Sequence, residues 1–341
     1  MNIMVFNVPA ETVGALSILN EFYGEVRNSQ EKIINWTFVL SKPTLEETEN
    51  IRVLRFPWVK KSWLHRLYFD NIIAPRLIKD YKIDKVISYQ NIIIPNTDVT
   101  QTLYVHNCLP FIDYKFSLKE NRHLWIYQNI ISRKIIKSIK KADKVIVQTK
   151  WMKEAIIEKT NVESEKIKVV PPKINLAVKQ YFKPNEESYS TFFYPASEFV
   201  YKNHKVIVEA CKKLKSENIN FKVIFTLDGN ENENIANLYQ EVKKYQLPIE
   251  FVGNLQRDKV FEFYTKSILL FPSFIETFGL PLLEARLHRG LIIASDCPFS
   301  HEVLDGYKNA YFFEPFDSNK LAELLFSTYK NKVKYIESND M

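Results

Sequence analysis

The sequence is poor in cysteine and contains no long apolar run. Its three cysteines, Cys108, Cys211 and Cys297, are isolated from one another. They lack the C-x2-C spacing of a zinc site, and their odd number does not suit a disulfide framework, so we interpret them as core or incidental thiols. No apolar stretch approaches the roughly 20 residues that a helix needs to cross a bilayer. We therefore expect a protein that is soluble or peripheral to a membrane.

Signals for export and for repeat architectures are also missing. The first residues, MNIMVFNV, have no basic region before the apolar run, so they are typical of a first strand rather than a signal peptide, and we expect a cytoplasmic protein. No internal repeat of fixed period occurs, which excludes solenoids and propellers. What is present is an ordinary globular composition, with 46% hydrophobic and 26% charged residues. The net charge of +7 favours acidic partners such as phosphates, nucleic acid or anionic lipid, without choosing among them.

Short apolar, β-branched runs alternate with longer segments of helical period, which predicts βα units around parallel sheets. In the first half, strands are predicted near 2–8, 33–40, 51–55, 84–89, 101–106, 144–148 and 167–170. The helices between them are predicted over 12–23, 63–81, 118–142 and 150–160. A second series begins near Thr191 and comprises TFFYPA, FKVIFTL, IEFVG, SILLFPS, LIIASD and NAYFF. The chain therefore belongs to the α/β class.

A stretch with three prolines, residues 169–190, separates the two series and is typical of an interdomain linker followed by a surface loop. We predict two Rossmann-like, doubly wound domains over 1–175 and 176–320, then a closing helix and tail over 321–341. Open α/β sheets bind ligands at the carboxyl ends of their strands. The site is therefore expected in a cleft across which the two domains face each other.

The most informative segment is 267–296, in which a predicted strand is followed by a loop and by a helix beginning at Pro281, a favourable first helical residue. Such a helix directs unpaired amides and its positive dipole end at the loop, and Gly279 would let a diphosphate approach the backbone closely. Glu276 in the loop and Glu284 in the predicted first turn could face one ligand. Because a carboxylate repels phosphate, each glutamate is expected to accept hydrogen bonds from sugar hydroxyls.

The run ETFGLPLLE, residues 276–284, resembles the E-x-F-G-L-P-x-x-E signature of retaining glycosyltransferases of family 4, also called glycosyl transferases group 1, which have the GT-B fold. The resemblance implies that Glu276 contacts the donor sugar and that Glu284 binds the ribose. It also implies that a backbone run holds the diphosphate, namely Thr277, Phe278, Gly279 and Leu280. The first domain would then bind the acceptor and the second the nucleotide sugar. Alternatively, Glu284 only favours a helix start and Glu276 only caps a loop.

Lys202 lies just before a predicted helix, where a lysine can neutralise a diphosphate. The family resemblance implies a role for Lys202 in catalysis and for Lys202 and Asn203 in donor binding. The family's usual arginine is missing, because the corresponding stretch is PASE, and Ser197 within it is the candidate replacement. The alternative is that Lys202 is a solvated surface lysine.

Three further positions are singled out by the resemblance. His106 follows an apolar strand. The resemblance implies that it lies against the donor sugar or phosphate and stabilises charge there. The alternative is a histidine with a purely structural role. Gly14 opens the first helix, where family members carry two adjacent glycines near donor phosphate and acceptor, although an ordinary helix start is the alternative. Val252 and Gly253 lie where the family holds the nucleotide base through main-chain contacts.

The reaction implied by the resemblance is transfer of a hexosyl or N-acetylhexosaminyl unit, with retention, from a UDP- or GDP-linked donor. The sugar would be transferred to a hydroxyl of a glycan or lipid-linked acceptor in the synthesis of a bacterial surface polysaccharide, namely O-antigen, capsule or exopolysaccharide. No D-x-D triplet occurs in the sequence, so a divalent metal has no evident ligands and we predict catalysis without metal or other cofactor.

A basic segment suggests contact with a membrane. Within 118–141 we expect an inner row of isoleucines, Ile126, Ile130, Ile131, Ile135 and Ile139. The cations elsewhere around that helix are Arg133, Lys134, Lys137, Lys140 and Lys141. Together with Lys60, Lys61, Trp58 and Trp63 they could hold the protein to anionic headgroups on the inner face of the plasma membrane. A solvated helix face is the alternative.

Three rival functions differ in what they would require. A nucleotide-sugar epimerase or hydrolase on the same fold would consume donor without an acceptor. A noncatalytic GT-B subunit would account for the missing arginine and the single glycine, but the intact ETFGLPLLE run argues against it. Nucleic-acid binding is not predicted, because the cations are not gathered with aromatic residues into a nucleic-acid motif.

Overall fold

The computed structural model describes residues 1–10, 13–29, 33–173, 178–217 and 219–337. The chain divides into two compact units, Met1–Lys173 and Ile174–Met341. Each unit contains one sheet in which every pairing between neighbouring strands is parallel. The prediction of two parallel α/β domains is thus confirmed.

The first unit has a seven-stranded sheet with the strand order β3-β2-β1-β4-β5-β6-β7. Its strands are β1 Asn2–Phe6, β2 Asn35–Leu40, β3 Ile51–Arg55, β4 Lys85–Ser88, β5 Thr100–Tyr104, β6 Lys144–Val147 and β7 Ile167–Val169. The order reverses beside β1, which lies between β2 and β4. All seven predicted strands occur. A strand that is buried on both faces consists of nearly consecutive apolar residues, and such a run is easily recognised in a sequence.

The helices of the first unit are α1 Val13–Asn28, α2 Trp63–Tyr68, α3 Ala74–Asp80, α4 Arg122–Ile126, α5 Ser132–Lys141 and α6 Lys150–Thr160. Two π turns, Phe69–Ile73 and Tyr127–Ile131, join α2 to α3 and α4 to α5. The prediction of one regular helix with an inner isoleucine row over 118–142 was wrong in this respect. Ile135 and Ile139 are buried, but Ile130 is 59% exposed, because the wider π turn changes which side chains face inward.

The second unit has a six-stranded sheet with the order β10-β9-β8-β11-β12-β13. Its strands are β8 Thr191–Tyr194, β9 Lys222–Phe225, β10 Ile249–Phe251, β11 Ile268–Phe271, β12 Ile292–Ser295 and β13 Ala310–Phe313. Its helices are α7 Glu186–Tyr189, α8 His204–Leu214, α9 Glu233–Tyr245, α10 Arg257–Lys266, α11 Leu280–Leu287, α12 Pro298–Val303 and α13 Ser318–Tyr329. The last helix, α13, packs against α8.

The core of the first unit lies on both faces of its sheet. Met4 and Phe6 of β1 pack into one buried cluster, whereas Val5 packs into the other, as expected when successive side chains of a strand point to opposite faces. All three cysteines are buried and none forms a disulfide, in agreement with their interpretation as core thiols. Within the described ranges no helix is both long and apolar enough to span a bilayer.

Candidate active site

The second sheet reverses its strand order between β8 and β11, which are hydrogen-bonded neighbours. The connections that leave the carboxyl ends of two such strands run to helices on different sides of the sheet, and the gap between them is where open α/β sheets bind ligands. Lys202 follows β8, and Glu276 follows β11. The topology therefore brings together two residues that are 74 positions apart in the sequence.

Lys202 and Glu276 form an ion pair at this point. The Lys202 Nζ donates to Glu276 Oε1, and the Ser273 hydroxyl donates to the same oxygen over 2.7 Å. Both charged side chains are more than four-fifths buried. Charge-assisted hydrogen bonds of this kind are among the strongest in proteins, and partial burial reduces their screening by solvent. The pair thus places a cation and an anion together at the switch point.

The position of Lys202 is set by contacts of its backbone and of its neighbour. The buried Tyr194 hydroxyl donates to the Lys202 carbonyl over 2.6 Å. Asn203, which precedes α8, has φ of +59°, a left-handed conformation that asparagine tolerates better than most residues. Its side-chain amide donates to the carbonyls of Pro272 and Pro315, over 3.2 and 2.6 Å. Asn203 therefore ties the loops after β11 and β13 to the start of α8.

The helix α11 begins one residue earlier than predicted, at Leu280, with Pro281 second. Glu284 is thus its fifth residue and lies in the second turn rather than the first. Gly279 precedes the helix with φ of +83°, and a Cβ there would lie 3.1 Å from Leu282 Cδ1, so glycine suits the position both by conformation and by space. Thr277, Phe278 and Leu280 flank it and are partly buried.

Glu284 is buried and its two carboxylate oxygens have different partners. Arg257 Nη2 donates to Oε1 over 2.7 Å, and the Tyr264 hydroxyl donates to Oε2 over 3.0 Å. Burial raises the pKa of Glu284 above its usual range, and the Arg257 guanidinium and the two hydrogen bonds oppose that rise. Each oxygen has a second lone pair, so the carboxylate can still accept from ligand hydroxyls.

The remaining donor-site predictions fall on loops of the second unit. Ser197 is exposed in the loop after β8. After β10, the amides of Val252 and Gly253 donate to the carbonyls of Phe225 and Leu227, each over 3.0 Å. Gly253 has φ of +71°, and a Cβ there would lie 2.6 Å from Asp228 Oδ1, so a larger residue would be strained in its backbone and would displace the Asp228 carboxylate. The backbone thus holds this loop closely against the one after β9.

His106 lies in the first unit, after β5, and Asn91 lies after the neighbouring strand β4. Asn91 Oδ1 accepts a hydrogen bond from the His106 amide over 2.8 Å, while Asn91 Nδ2 is 3.4 Å from His106 Nε2. The other ring nitrogen, Nδ1, is buried and unpartnered within the described ranges. Desolvation lowers the pKa of His106 to about 4, so the ring is neutral near neutral pH. Such a ring can offer a hydrogen bond without carrying a charge.

Gly14 is the second residue of α1. Residues 11 and 12, just before this helix, lie outside the described residues, so the loop predicted to approach phosphate and acceptor is not described in full.

Four residues of these clusters were not singled out from the sequence: Ser273, Arg257, Tyr264 and Asn91. Each contacts a predicted site residue: Ser273 lies in the same loop as Glu276, and the other three come from another loop or helix. Ser273 follows β11, the neighbour of β8, and Asn91 follows β4, the neighbour of β5, and these positions after strand ends could have marked them. Arg257 and Tyr264 reach Glu284 from α10, and no sequence motif indicates that contact.

His204 gives a testable dependence of stability on pH. It is buried as the first residue of α8, and burial together with nearby Lys202 lowers its pKa to about 3. Between about pH 6.5 and pH 3 the unfolded chain therefore binds a proton that the folded chain does not, and stability falls as pH decreases. We expect this histidine to contribute a loss of about 2 kcal/mol on going from neutral pH to about pH 5.

The check is thermal unfolding of His204→Phe and wild type at several pH values. The variant should lose less stability on acidification than wild type, while His123→Phe, which removes an exposed histidine, should leave the acid-induced loss unchanged. Equal acid sensitivity of wild type and His204→Phe would contradict the assignment.

Comparison with known families assigns both parts of the chain. Residues 179–340 match the model of glycosyl transferases group 1, and residues 36–178 match the model of glycosyltransferase family 4. The two matches adjoin and together account for residues 36–340.

Similar proteins agree with this assignment. The O-antigen chain mannosyltransferase RfbU of Salmonella typhimurium is 28% identical over 208 residues, which are 60% of this chain and 54% of that protein. The match thus spans about half of the curated relative. Among solved structures, the lipopolysaccharide outer core galactosyltransferase WaaB has a TM-score of 0.68 at 19% identity, over 98% of this chain and 92% of its own.

HepE of Anabaena, solved in complex with UDP-glucose, has a TM-score of 0.68 at 14% identity, covering 98% of this chain and 91% of its own. At such identities the structural likeness establishes the fold. With both units matched by family models, the chain belongs to the glycosyl transferases of group 1, with an amino-terminal domain of the family 4 type and the GT-B fold.

Proposed function

We propose that this protein is a retaining glycosyltransferase that moves a hexosyl or N-acetylhexosaminyl unit from a nucleoside diphosphate to a hydroxyl acceptor. The acceptor is a glycan or a lipid-linked acceptor in bacterial surface polysaccharide synthesis. Family membership supports transfer of a sugar. The names of two similar proteins, an O-antigen mannosyltransferase and a lipopolysaccharide galactosyltransferase, support the polysaccharide setting. The complex of HepE with UDP-glucose supports a nucleotide-sugar donor.

The observation that carries the proposal is the arrangement around β8, β11 and α11. Lys202 is a cation suited to a diphosphate, and the start of α11 offers amides and a positive dipole end to the same kind of group. Glu276 and Glu284 are carboxylates that can accept hydrogen bonds from the hydroxyls of the sugar and the ribose. A nucleotide sugar is a ligand that requires both kinds of contact.

In the proposed reaction, the bond from the anomeric carbon to the diphosphate oxygen breaks, and the acceptor oxygen bonds to the same face of that carbon. The departing phosphate oxygen takes the acceptor proton, so no separate base is needed. Lys202 and the α11 amides stabilise the charge that develops on the diphosphate. A covalent role for Glu276 is disfavoured by its pairing with Lys202.

Arg257 is a candidate to replace the arginine that is missing from the stretch PASE. Its guanidinium contacts Glu284, and its side chain is 60% exposed, so it can turn toward a bound nucleotide. We propose that Arg257 and Lys202 together provide the cationic contacts of the donor site. With two cations and a helix start present, we propose that no metal is needed.

Thermal shift with nucleotides tests the donor site. UDP, GDP and ADP and their common sugars are added to wild type, with and without EDTA. We expect one nucleotide to raise the unfolding temperature selectively, and the rise to survive EDTA. A ligand present at about 100 times its Kd adds about 2.7 kcal/mol of stability, which such an assay resolves.

The Glu284→Gln variant tests whether the nucleotide binds beside Glu284, because it keeps the size of the side chain and loses its charge. It should lose most of the shift. Glu262→Gln, which breaks the exposed pairs with Lys259 and Lys266 in the same unit, is the matched control and should keep the shift. If no nucleotide stabilises wild type, the proposed donor site is incorrect.

A further inference from the structure

The helix α2 buries none of its residues. Trp63 and Leu64 are 64% and 76% exposed, and Leu67, Tyr68 and Ile72 are exposed as well. The spacing of Leu64, Leu67, Tyr68 and Ile72 places them along one side, away from buried Phe69 and Asp70. Large apolar side chains gathered on one exposed side are typical of a binding surface.

The surroundings of this side are strongly basic. Residues 60–79 contain five cations and one acid: Lys60, Lys61, Arg66, Arg76 and Lys79 against Asp70. Residues 122–141 contain six cations and no acid: Arg122, Arg133, Lys134, Lys137, Lys140 and Lys141. An apolar stripe bordered by cations is complementary to a surface that is apolar inside and negatively charged outside.

Asp70 connects the two basic segments. Its buried carboxylate accepts from Arg66 Nε over 2.9 and 3.0 Å and from Lys134 Nζ over 3.2 Å. The one acid of the region is therefore matched by two cations, and the region keeps a positive charge. The same contact brings the start of α5 beside the π turn that follows α2. Ile130, in the π turn just before α5, is a further exposed apolar residue.

We propose that α2, the π turn Phe69–Ile73 and the adjoining start of α5 form a docking surface for an anionic lipid bilayer. The apolar side chains of this docking surface enter the interfacial region, and the flanking lysines and arginines contact lipid phosphates. Trp63 and Tyr68 are of the residue types that prefer the boundary between water and lipid. The surface differs from the sequence-based expectation, since Trp58 is partly buried beneath Phe69 and Tyr68, and the apolar contacts come from α2.

A bilayer fits better than a protein partner, because the core of a protein interface is depleted of charged residues, whereas this apolar stripe is narrow and bordered by cations throughout. Interfacial helices combine a polar, basic side with an apolar side in the same way. The inference rests on the proposed function in one respect, that a lipid-linked acceptor would bring the enzyme to a membrane. Binding to vesicles, however, requires neither donor nor acceptor.

The experiment is co-sedimentation of the full chain with vesicles of phosphatidylcholine alone and of phosphatidylcholine mixed with phosphatidylglycerol. Wild type should bind the mixed vesicles, less at high salt, and should show a blue shift of tryptophan emission that Trp63→Phe removes. The pairs Leu64→Ser/Leu67→Ser and Lys61→Glu/Lys137→Glu should each lower the vesicle partition coefficient more than about tenfold.

Matched controls change the same residue types elsewhere. Ile33→Ser/Ile336→Ser removes exposed isoleucines, and Lys215→Glu/Lys332→Glu makes the same change of charge in the second unit. Both controls should bind vesicles like wild type. All variants should keep the unfolding temperature and the nucleotide shift of wild type, which separates this inference from the donor site.

The inference is overturned if wild type binds neither kind of vesicle or if both test pairs bind as wild type does. It is also overturned if Leu64→Ser/Leu67→Ser changes the oligomeric state in size-exclusion chromatography and leaves vesicle binding intact, since the surface would then join copies of the chain. Loss of the nucleotide shift with normal vesicle binding would instead reject the proposed function alone.

Discussion

Replacing Lys202 with methionine is expected to lower the rate of glycosyl transfer by about 10²–10³-fold, the usual effect of removing one preorganised group that stabilises charge in a transition state. The ammonium of Lys202 would face the diphosphate as it departs. Its removal also leaves the Glu276 carboxylate without its cation, so that this anion would repel the leaving group. The measurement is the initial rate of nucleoside diphosphate release, with the stabilising donor and a membrane extract as the source of acceptor.

Lys205→Met is the matched control, because Lys205 is an exposed lysine one turn further along, at the second position of α8. It should keep the wild-type rate. A loss seen in kcat would indicate an effect on the departing group, whereas a loss confined to KM would indicate donor binding alone. A Lys202→Met variant that transfers sugar within a few-fold of wild type would reject its proposed role in catalysis.

Replacing Glu276 with glutamine is expected to weaken binding of the nucleotide sugar by about 10–100-fold, because a hydrogen bond to a charged group contributes about 1.5–3 kcal/mol. The nucleoside diphosphate without its sugar should bind nearly as it does to wild type, since Glu276 is proposed to contact the sugar. Calorimetric titration with both ligands distinguishes the two contributions.

Glu323→Gln provides the control, since it breaks an exposed pair with Lys320 in the same unit and should change neither affinity. The double variant Lys202→Met/Glu276→Gln adds a coupling measurement, and we expect non-additive effects because the two side chains touch. Equal weakening of both ligands in Glu276→Gln would show that the residue acts on the nucleotide or on the fold rather than on the sugar.

The fold could be read from the sequence to a large extent, for a physical reason. Parallel strands are covered on both faces, so β1, with its buried Met4, Val5 and Phe6, is apolar at consecutive positions. Turns and linkers between such runs are marked by proline and polar residues. Helix ends were harder to place: α1 extends to Asn28 rather than to residue 23, and Gly24 lies within the helix instead of ending it.

The candidate site could be predicted where its residues belong to a recognisable stretch of sequence. The run from Glu276 to Glu284 combines a loop, a glycine with positive φ and a helix start, and it is visible as a motif. Partners that come from other segments carry no such mark. Arg257 and Tyr264 are 27 and 20 positions from Glu284, and their contact with it follows from the packing of α10 on α11.

The π turn Phe69–Ile73 has an evolutionary consequence. In an uninterrupted α-helix, Leu64, Leu67, Ala74 and Ile78 would fall on one side, since their spacings follow the period of 3.6 residues. Ala74 and Ile78 are buried, whereas Leu64 and Leu67 are exposed, because the wider turn offsets the two halves by about one residue, or roughly 100°. Deleting one codon in this turn would rotate both leucines toward the protein interior. During the evolution of a protein with this helix, the insertion or deletion of a single residue is thus enough to gain or lose an outward-facing apolar side, with no other change of sequence.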